Sequence, residues 1–251
     1  MISNISVSLR PVTYSDIETL AQISADSFND DRHTHVKRLG RKPFDMLSVT
    51  RSVLYQGLGR ENCAYMKAVN SDAEETVGFC GWGFRVSNND LVPRSDPGTP
   101  LERPDDKGSD IEAKDPVEED SIDRLNDLED ETMKQWMNDF MPDTNTHFMY
   151  IQMLVVAPQA RKQGVGNALV QWGIEVADRL GLFTWVQASE AAYGLLAKQG
   201  FEVVAELKLD LDEWAPRPPT HEDIENEGGE WGQYMLRSMK RLPKQQAVMH
   251  L

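Results

Sequence analysis

The residues of this chain whose spacing carries the most chemistry are Arg161-Lys162-Gln163-Gly164-Val165-Gly166-Asn167, between a strand and a helix. Gly164 and Gly166 leave the backbone bare where the helix opens. The first N–H groups of a helix have no partner inside it, and the helix dipole adds positive potential there. Such an end is a ready site for phosphate or pyrophosphate, and Arg161 and Lys162 put two cations beside it. Two nucleotide-binding patterns are excluded. A P-loop needs Gly-Lys-Ser/Thr, but Val165 follows Gly164. A dinucleotide fingerprint needs a third glycine three positions after Gly166, where Leu169 stands. Taken alone, the two glycines serve a tight turn as readily as a phosphate.

The elements around this turn are the most regular of the chain. A strand over 147–157 leads into it, and a helix over 164–180 leaves it with Val165, Ala168, Leu169, Trp172, Val176 and Leu180 on its inner face. A strand at 182–188, a helix at 189–199 and a strand at 201–211 follow. A Pro- and Gly-punctuated loop at 216–229 precedes a last strand at 232–239. This alternation is an α/β signature. Upstream, residues 6–11 read as a strand, and Thr13 or Ser15 caps a helix carrying Ile17, Leu20, Ala21 and Phe28. A second helix is expected at 43–58, then paired strands at 63–69 and 76–86. Gly78, Gly81 and Gly83 weaken the latter strand unless close packing or a bulge needs them.

The chain has 251 residues, 40% of them hydrophobic, enough for one generous domain or two small ones. Its formal charge of -15 argues against nucleic acid, whose binding needs a basic face, and against anionic membranes. Residues 88–131 hold 16 acidic and 5 basic side chains, so the acidity belongs to one segment. Between 88 and 120 no apolar face repeats, and a solvated insertion is expected there, or an acidic lid or partner-binding arm. An amphipathic helix at 121–141 then returns to the body. Two cysteines, Cys63 and Cys80, fit a reducing compartment and buried structural thiols. Without a membrane span or a targeting signal, the sequence reads as a single soluble, cytoplasmic domain.

The turn, the apolar strand before it and the downstream residues Gly173, Gly181, Ala188-Ser189, Gly200-Phe201 and Tyr234-Met235-x-Arg237 together resemble the GNAT family of N-acetyltransferases, and within it a fungal, largely uncharacterised branch. The likeness is densest over 148–201 and reaches back loosely to Leu9, through Arg10-Pro11, Asp16 and Phe28. It implies an α/β fold with a mixed, mostly antiparallel sheet flanked by helices, in which one strand splays from its neighbour to hold acyl-CoA. It further implies acetyl-CoA as the acyl donor. The pair His33-x-His35 would need further ligands to hold a metal, and the sequence offers none, so no metal is expected.

Carried onto this chain, the resemblance puts the pantetheine along Leu154, Val155 and Val156, and the pyrophosphate on Arg161, Lys162, Gln163, Gly164, Val165, Gly166 and Asn167. Ser189 falls where relatives often have a pantetheine-touching Asn; it is equally placed to cap the next helix. The usual general-acid tyrosine is replaced by Leu196, with Tyr193 one turn earlier as a substitute. A CoA thiol is acidic enough for its thiolate to leave unaided. No general base is legible: on a strand face read as Tyr150, Gln152, Leu154, Val156, Tyr150 falls where some relatives have a catalytic glutamate, Gln152 is not a base but is placed to order a proton-relaying water, and His147 stands at the strand's mouth. Phe28, Asp30 and Trp136 are candidate acceptor-site residues, in a region that also holds Asp26, Asp31, His33 and His35. The acceptor is expected to be a small-molecule amine, with a mild preference for a cationic one. Acetylation of a protein amine, or an acyl-CoA-binding module with little catalysis, are the alternatives. A homodimer through a sheet edge near the last strand is compatible with the family.

Overall fold

The computed structural model describes residues 5–100, 120–141, 143, 145–221, 223 and 229–244. Most of the acidic segment, residues 101–119, lies outside the described residues, as do parts of the 216–229 loop. Seven strands, β1 (Val7–Pro11), β2 (Cys63–Asn70), β3 (Glu75–Arg85), β4 (Phe148–Val156), β5 (Phe183–Ala188), β6 (Glu202–Asp210) and β7 (Gln233–Arg241), form one sheet in the order β1-β2-β3-β4-β5-β7-β6. All neighbours are antiparallel except β4 and β5. The last strand is therefore internal, and the edge at that end of the sheet is β6, not β7.

Helices α1 (Ile17–Ser27), α2 (Arg32–Arg38), α3 (Met46–Leu58), α4 (Ser121–Phe140), α5 (Val165–Leu180), α6 (Glu190–Lys198) and α7 (Leu211–Trp214) cover both faces. On α1, Ile17, Leu20, Ala21 and Ser24 are buried one turn apart, and Thr13 and Asp16 close a capping box just ahead of them. One core joins α5 and α6 to the sheet through Leu169, Val170, Ile174 and Leu196. A second lies under α1 and α3, around Leu20, Leu54, Tyr65 and Phe79. A third gathers Val36 of α2, Ile122, Leu125 and Trp136 of α4, Trp231 and Tyr234. Two helices were not foreseen: α2, because Arg32–Arg38 buries only Thr34 and Val36, and the four-residue α7.

The β3 glycines have the reason anticipated for them. A Cβ on Gly81 or Gly83 would run into the ring of Tyr65 or Tyr150, and one on Gly78 would sit 2.6 Å from the carbonyl oxygen of Val155. Gly173 on α5 likewise leaves room for the fully buried indole of Trp82. Gly173→Ala forces that indole aside in a closed core, at a cost of about 1–3 kcal/mol. A fall in melting temperature of roughly 3–10 °C is expected in a thermal melt; an unchanged melt would mean that the α5–β3 contact is loose.

The register of β3 on β4 positions the site. Gly81 pairs with Met153 and Trp82 with Ile151, so Gln152 faces no partner and forms a bulge. The parallel pairing of β4 with β5 holds at Phe148↔Phe183, Met149↔Thr184 and Tyr150↔Trp185, and stops there. Beyond the bulge the two strands diverge: β5 continues against β7, and β4 runs on with its β5-facing edge open.

Candidate active site

The gap between β4 and β5 is a cleft of about 360 Å³. Ile151, Gln152, Met153, Leu154 and Val155 form one wall, and Val186, Gln187 and Ser189 form the other. The expected alternation of Tyr150, Gln152, Leu154 and Val156 on one face does not hold. The bulge at Gln152 resets the period of two, so Leu154 and Val156 pack toward the α5 core while Met153 and Val155 face α1 and α3. Gln152 is itself tied down. It accepts from the Tyr65 hydroxyl at 2.5 Å, and its amide nitrogen lies 3.4 Å from the Tyr150 hydroxyl and 3.5 Å from Cys63 Sγ. Burial, with the Cys63 and Tyr150 groups beside it, pushes the Tyr65 hydroxyl well above its ordinary range, so it stays protonated.

Where β4 ends, the chain makes the turn that the glycines announce. Lys162 and Gly164 take positive φ angles of 61° and 91°. Val165 then opens α5, where the Ala168 N–H donates to the Gly164 carbonyl at 3.0 Å. From Lys162 through Asn167, the backbone N–H groups have no acceptor among the described residues. The row makes an anion cradle of the kind formed by successive peptide N–H groups at a helix start. Gly166 lets the turn close on α6, since a Cβ there would meet Leu195 at 2.9 Å. Gln163 bonds back to the Gln159 carbonyl at 2.6 Å, and Asn167 is held by Gln199. Arg161 does not extend freely from the turn. It pairs with Asp30 at 3.1 Å and donates to the carbonyl of Ser27, at the end of α1.

Of the remaining sequence candidates, some meet in the cleft and others do not. Phe28, Gln152, Leu154, Val155 and Ser189 line it. Ser189 occupies the N-cap position of α6 but makes no side-chain cap bond. The Val156 carbonyl is taken by Ser27 Oγ at 3.0 Å. Asp30 lies outside the cleft, in the Arg161 pair. Trp136 is buried in the third core rather than set over the cleft. Tyr193 stands on the outer side of α6, 38% exposed, under the Arg237 guanidinium at 4.3 Å. Leu196, the residue in the usual acid position, is fully buried at the cleft wall.

The structure adds polar groups that the sequence did not single out as a set. Glu129 of α4 binds His33 Nε2 through one carboxylate oxygen and Lys37 Nζ through the other, at 2.8 Å to Lys37. All three side chains are only 12–14% exposed, and all three line the cleft. Burial pushes the Glu129 carboxyl up, but the His33 hydrogen bond and the charges of His33 and Lys37 outweigh it and hold the group below its ordinary range. An ionised Glu129 is a pure acceptor, so the proton shared with it is on His33 Nε2. Nδ1 has no partner among the described residues. The His33 ring stacks on Tyr234 at 5.0 Å, and Tyr234 donates to Asp31 at 2.8 Å. Burial, reinforced by the Asp31 charge, raises the Tyr234 hydroxyl strongly and keeps it protonated. Glu129 was legible in one respect: it falls on the buried stripe of α4, one turn after Leu125 and two before Trp136, where a carboxylate needs a partner. The pair His33-x-His35 is not brought together, because His35 turns to the carbonyl of Asn29.

Comparison with known proteins agrees with this geometry. Residues 132–201 match the acetyltransferase (GNAT) family. Among solved structures, an arylalkylamine N-acetyltransferase-like 5b of mosquito is 17% identical, with a TM-score of 0.54 over 94% of this chain and 100% of that one. A histone acetyltransferase HPA2 and related acetyltransferase from Corynebacterium glutamicum is 15% identical, with a TM-score of 0.53 over 97% and 100%. NAA60 of Arabidopsis thaliana, in complex with a bisubstrate analogue, is 14% identical, with a TM-score of 0.50 over 95% and 99%. No curated protein matches the chain significantly. At these identities the likeness is one of fold: a mixed, mostly antiparallel sheet of seven strands flanked by helices, as the resemblance implied.

Proposed function

We propose that this chain, which carries an acetyltransferase (GNAT) domain, is an acetyl-CoA-dependent N-acetyltransferase that acetylates the primary amine of a small molecule by direct attack. One observation carries the reading. A carboxylate-held histidine lines the cleft beside the Gln152 bulge, and past the end of β4 the next turn carries a row of unused N–H groups.

The N–H groups of Lys162 to Asn167 hold the donor's pyrophosphate, and Leu154, Val155 and Ser189 border its pantetheine. The donor supplies an activated thioester carbonyl. The open edge of β4 past Tyr150 offers backbone N–H groups to the oxygen that becomes negative during attack. An amine attacks only when neutral, and at neutral pH most amines are ammonium ions. His33 takes that proton on Nδ1, with Glu129 fixing the tautomer and stabilising the imidazolium. Lys37 balances the carboxylate. Tyr150 and Gln152 shape the bulge and, with Tyr65, lock it, rather than move protons. The thiolate departs without an acid, which suits a leucine at position 196 and a tyrosine at 193 that faces outward.

The proposed unit is the whole chain, a single domain interrupted by the acidic insertion, and its two free, buried thiols suit the cytoplasm. A second reading, an acyl-CoA-binding module with little turnover, rests on Leu196. The deciding assay measures CoA thiol release from acetyl-CoA with pooled small amines and with peptides, alongside calorimetry of acetyl-CoA binding. Release that depends on the small-amine pool is the expected result. Binding without release from any pool would sink the enzymatic reading in favour of the module.

A further inference from the structure

We infer that the acceptor is a monoamine carried on an uncharged, apolar body, and that polyamines and amino sugars are poor acceptors. The inference rests on the acetyl transfer proposed above and names the substrate class of the same cleft. On the side away from α6, the cleft wall is made by Phe28 at the end of α1, Phe44 before α3, and Met46, Val49 and Val53 of α3. Val49 remains 38% exposed there, a large aliphatic side chain left to solvent at the cleft wall. An apolar body laid against these side chains removes both surfaces from water, at about 25 cal/mol for each Å² buried.

The charges in the cleft point the same way. Two carboxylates line it, and every one of their oxygens already has a donor. Asp31 accepts from the Tyr234 hydroxyl at 2.8 Å on one oxygen, and from the Thr34 N–H at 2.9 Å and hydroxyl at 2.6 Å on the other. Glu129 is divided between His33 and Lys37. With Lys37 balancing Glu129, the cleft keeps one net negative charge, that of Asp31, when His33 is neutral. One charge suits one ammonium group, the one to be deprotonated. A second cation on the acceptor would meet the Lys37 ammonium, which lies 5.4 Å from the Phe44 ring centre and already donates to Glu129. Desolvating such a charge without a partner is strongly unfavourable. The other carboxylates of the region are turned elsewhere, Asp26 to Gln22 and Asp30 to Arg161. The mild preference for a cationic acceptor expected from the acidic sequence is thereby reversed.

The reaction balances without a further reactant. The ammonium loses one proton to His33, and the neutral nitrogen bonds to the thioester carbonyl carbon. The C–S bond breaks as the intermediate collapses, and the second nitrogen proton goes to the departing thiolate. The products are the N-acetyl amide, CoA thiol and the proton that His33 returns to solvent.

The test compares phenethylamine, spermidine, glucosamine and a peptide with a free N-terminus, using the full chain and saturating acetyl-CoA. The expected kcat/KM for phenethylamine exceeds each of the others by at least about 30-fold, within the range that apolar pocket contacts supply. Val49→Asp, at an exposed helix position, is expected to narrow the phenethylamine-to-spermidine ratio by at least about tenfold while acetyl-CoA affinity stays unchanged. Spermidine, glucosamine or the peptide matching phenethylamine would overturn the inference, as would a ratio indifferent to Val49→Asp. Calorimetry of each amine against the CoA-loaded protein separates this from the parent reading. Phenethylamine binding alone, with no turnover of any amine, would leave the acceptor class standing and remove the activity; no binding and no turnover would remove both.

Discussion

Gly164→Glu is expected to weaken acetyl-CoA binding by roughly a thousandfold or more. A carboxylate added about 4 Å from a pyrophosphate charge near the protein surface costs on the order of 4 kcal/mol, which is about three powers of ten in affinity. The substitution also strains the backbone, because Gly164 has a φ of 91°. Gly164→Ala carries the strain without the anion and is expected to cost about 1–2 kcal/mol of stability. Asn167→Asp carries an anion on an ordinary helical residue in the first turn, where a carboxylate favours the helix. Calorimetry should show Gly164→Ala binding far better than Gly164→Glu, and Asn167→Asp losing affinity with no loss in melting temperature. Undiminished binding by both anionic variants would remove the donor phosphates from this turn.

The second large effect belongs to His33 and Glu129. His33→Ala is expected to lower kcat by about 10²–10⁴, the usual worth of a positioned general base. Glu129→Gln keeps the shape of the side chain and removes its charge; losing a charged hydrogen bond of about 1.5–3 kcal/mol, it is expected to lower kcat by roughly 10–100-fold. Glu129→Asp keeps a carboxylate acceptor and should recover part of the rate lost in Glu129→Gln. Lys37, Asp31 and Tyr234 are unchanged in both variants, so the difference between them isolates the carboxylate. A purely structural Glu129 would lose rate and melting temperature together in both variants. The Glu129 carboxyl, held below its ordinary value, contributes stability above the unfolded carboxylate pKa. That contribution is lost only as the pH falls through the depressed folded value.

The strand-to-helix turn was legible because it is local. Arg161-x-x-Gly164-x-Gly166 follows its strand directly, and the dihedral angles of Lys162 and Gly164 are those that such a turn needs. The polar cluster in the cleft was not, because its parts are distant in sequence. Glu129 meets His33 from 96 residues away, on a helix reached through the acidic segment. Tyr234 meets Asp31 across 203 residues. Periodicity located β4 to within a residue at each end, yet a strand pattern alone does not reveal a bulge, and one extra residue reversed the faces of everything after Gln152. Strand order was equally hidden. Nothing local in 233–241 says that this strand inserts between β5 and β6. The helix at 32–38 escaped notice because a seven-residue segment that buries two side chains has too short a stripe to show a period.

In the proposed enzyme, the tie from Arg161 to Asp30 and the Ser27 carbonyl joins the two substrates energetically. A phosphate that draws the guanidinium away releases the link between the turn and the loop that leads into α2, the helix of His33 and Lys37. Donor and acceptor affinities are then coupled, and by the same factor in both directions. The pair is open to solvent, with Arg161 at 39% and Asp30 at 74% exposure, so the coupling is at most about 1 kcal/mol, or some fivefold, and fades with salt. A link of that size biases the order in which the two substrates arrive without imposing it, so a protein built this way works by a preferred sequence of binding and keeps the alternative route open.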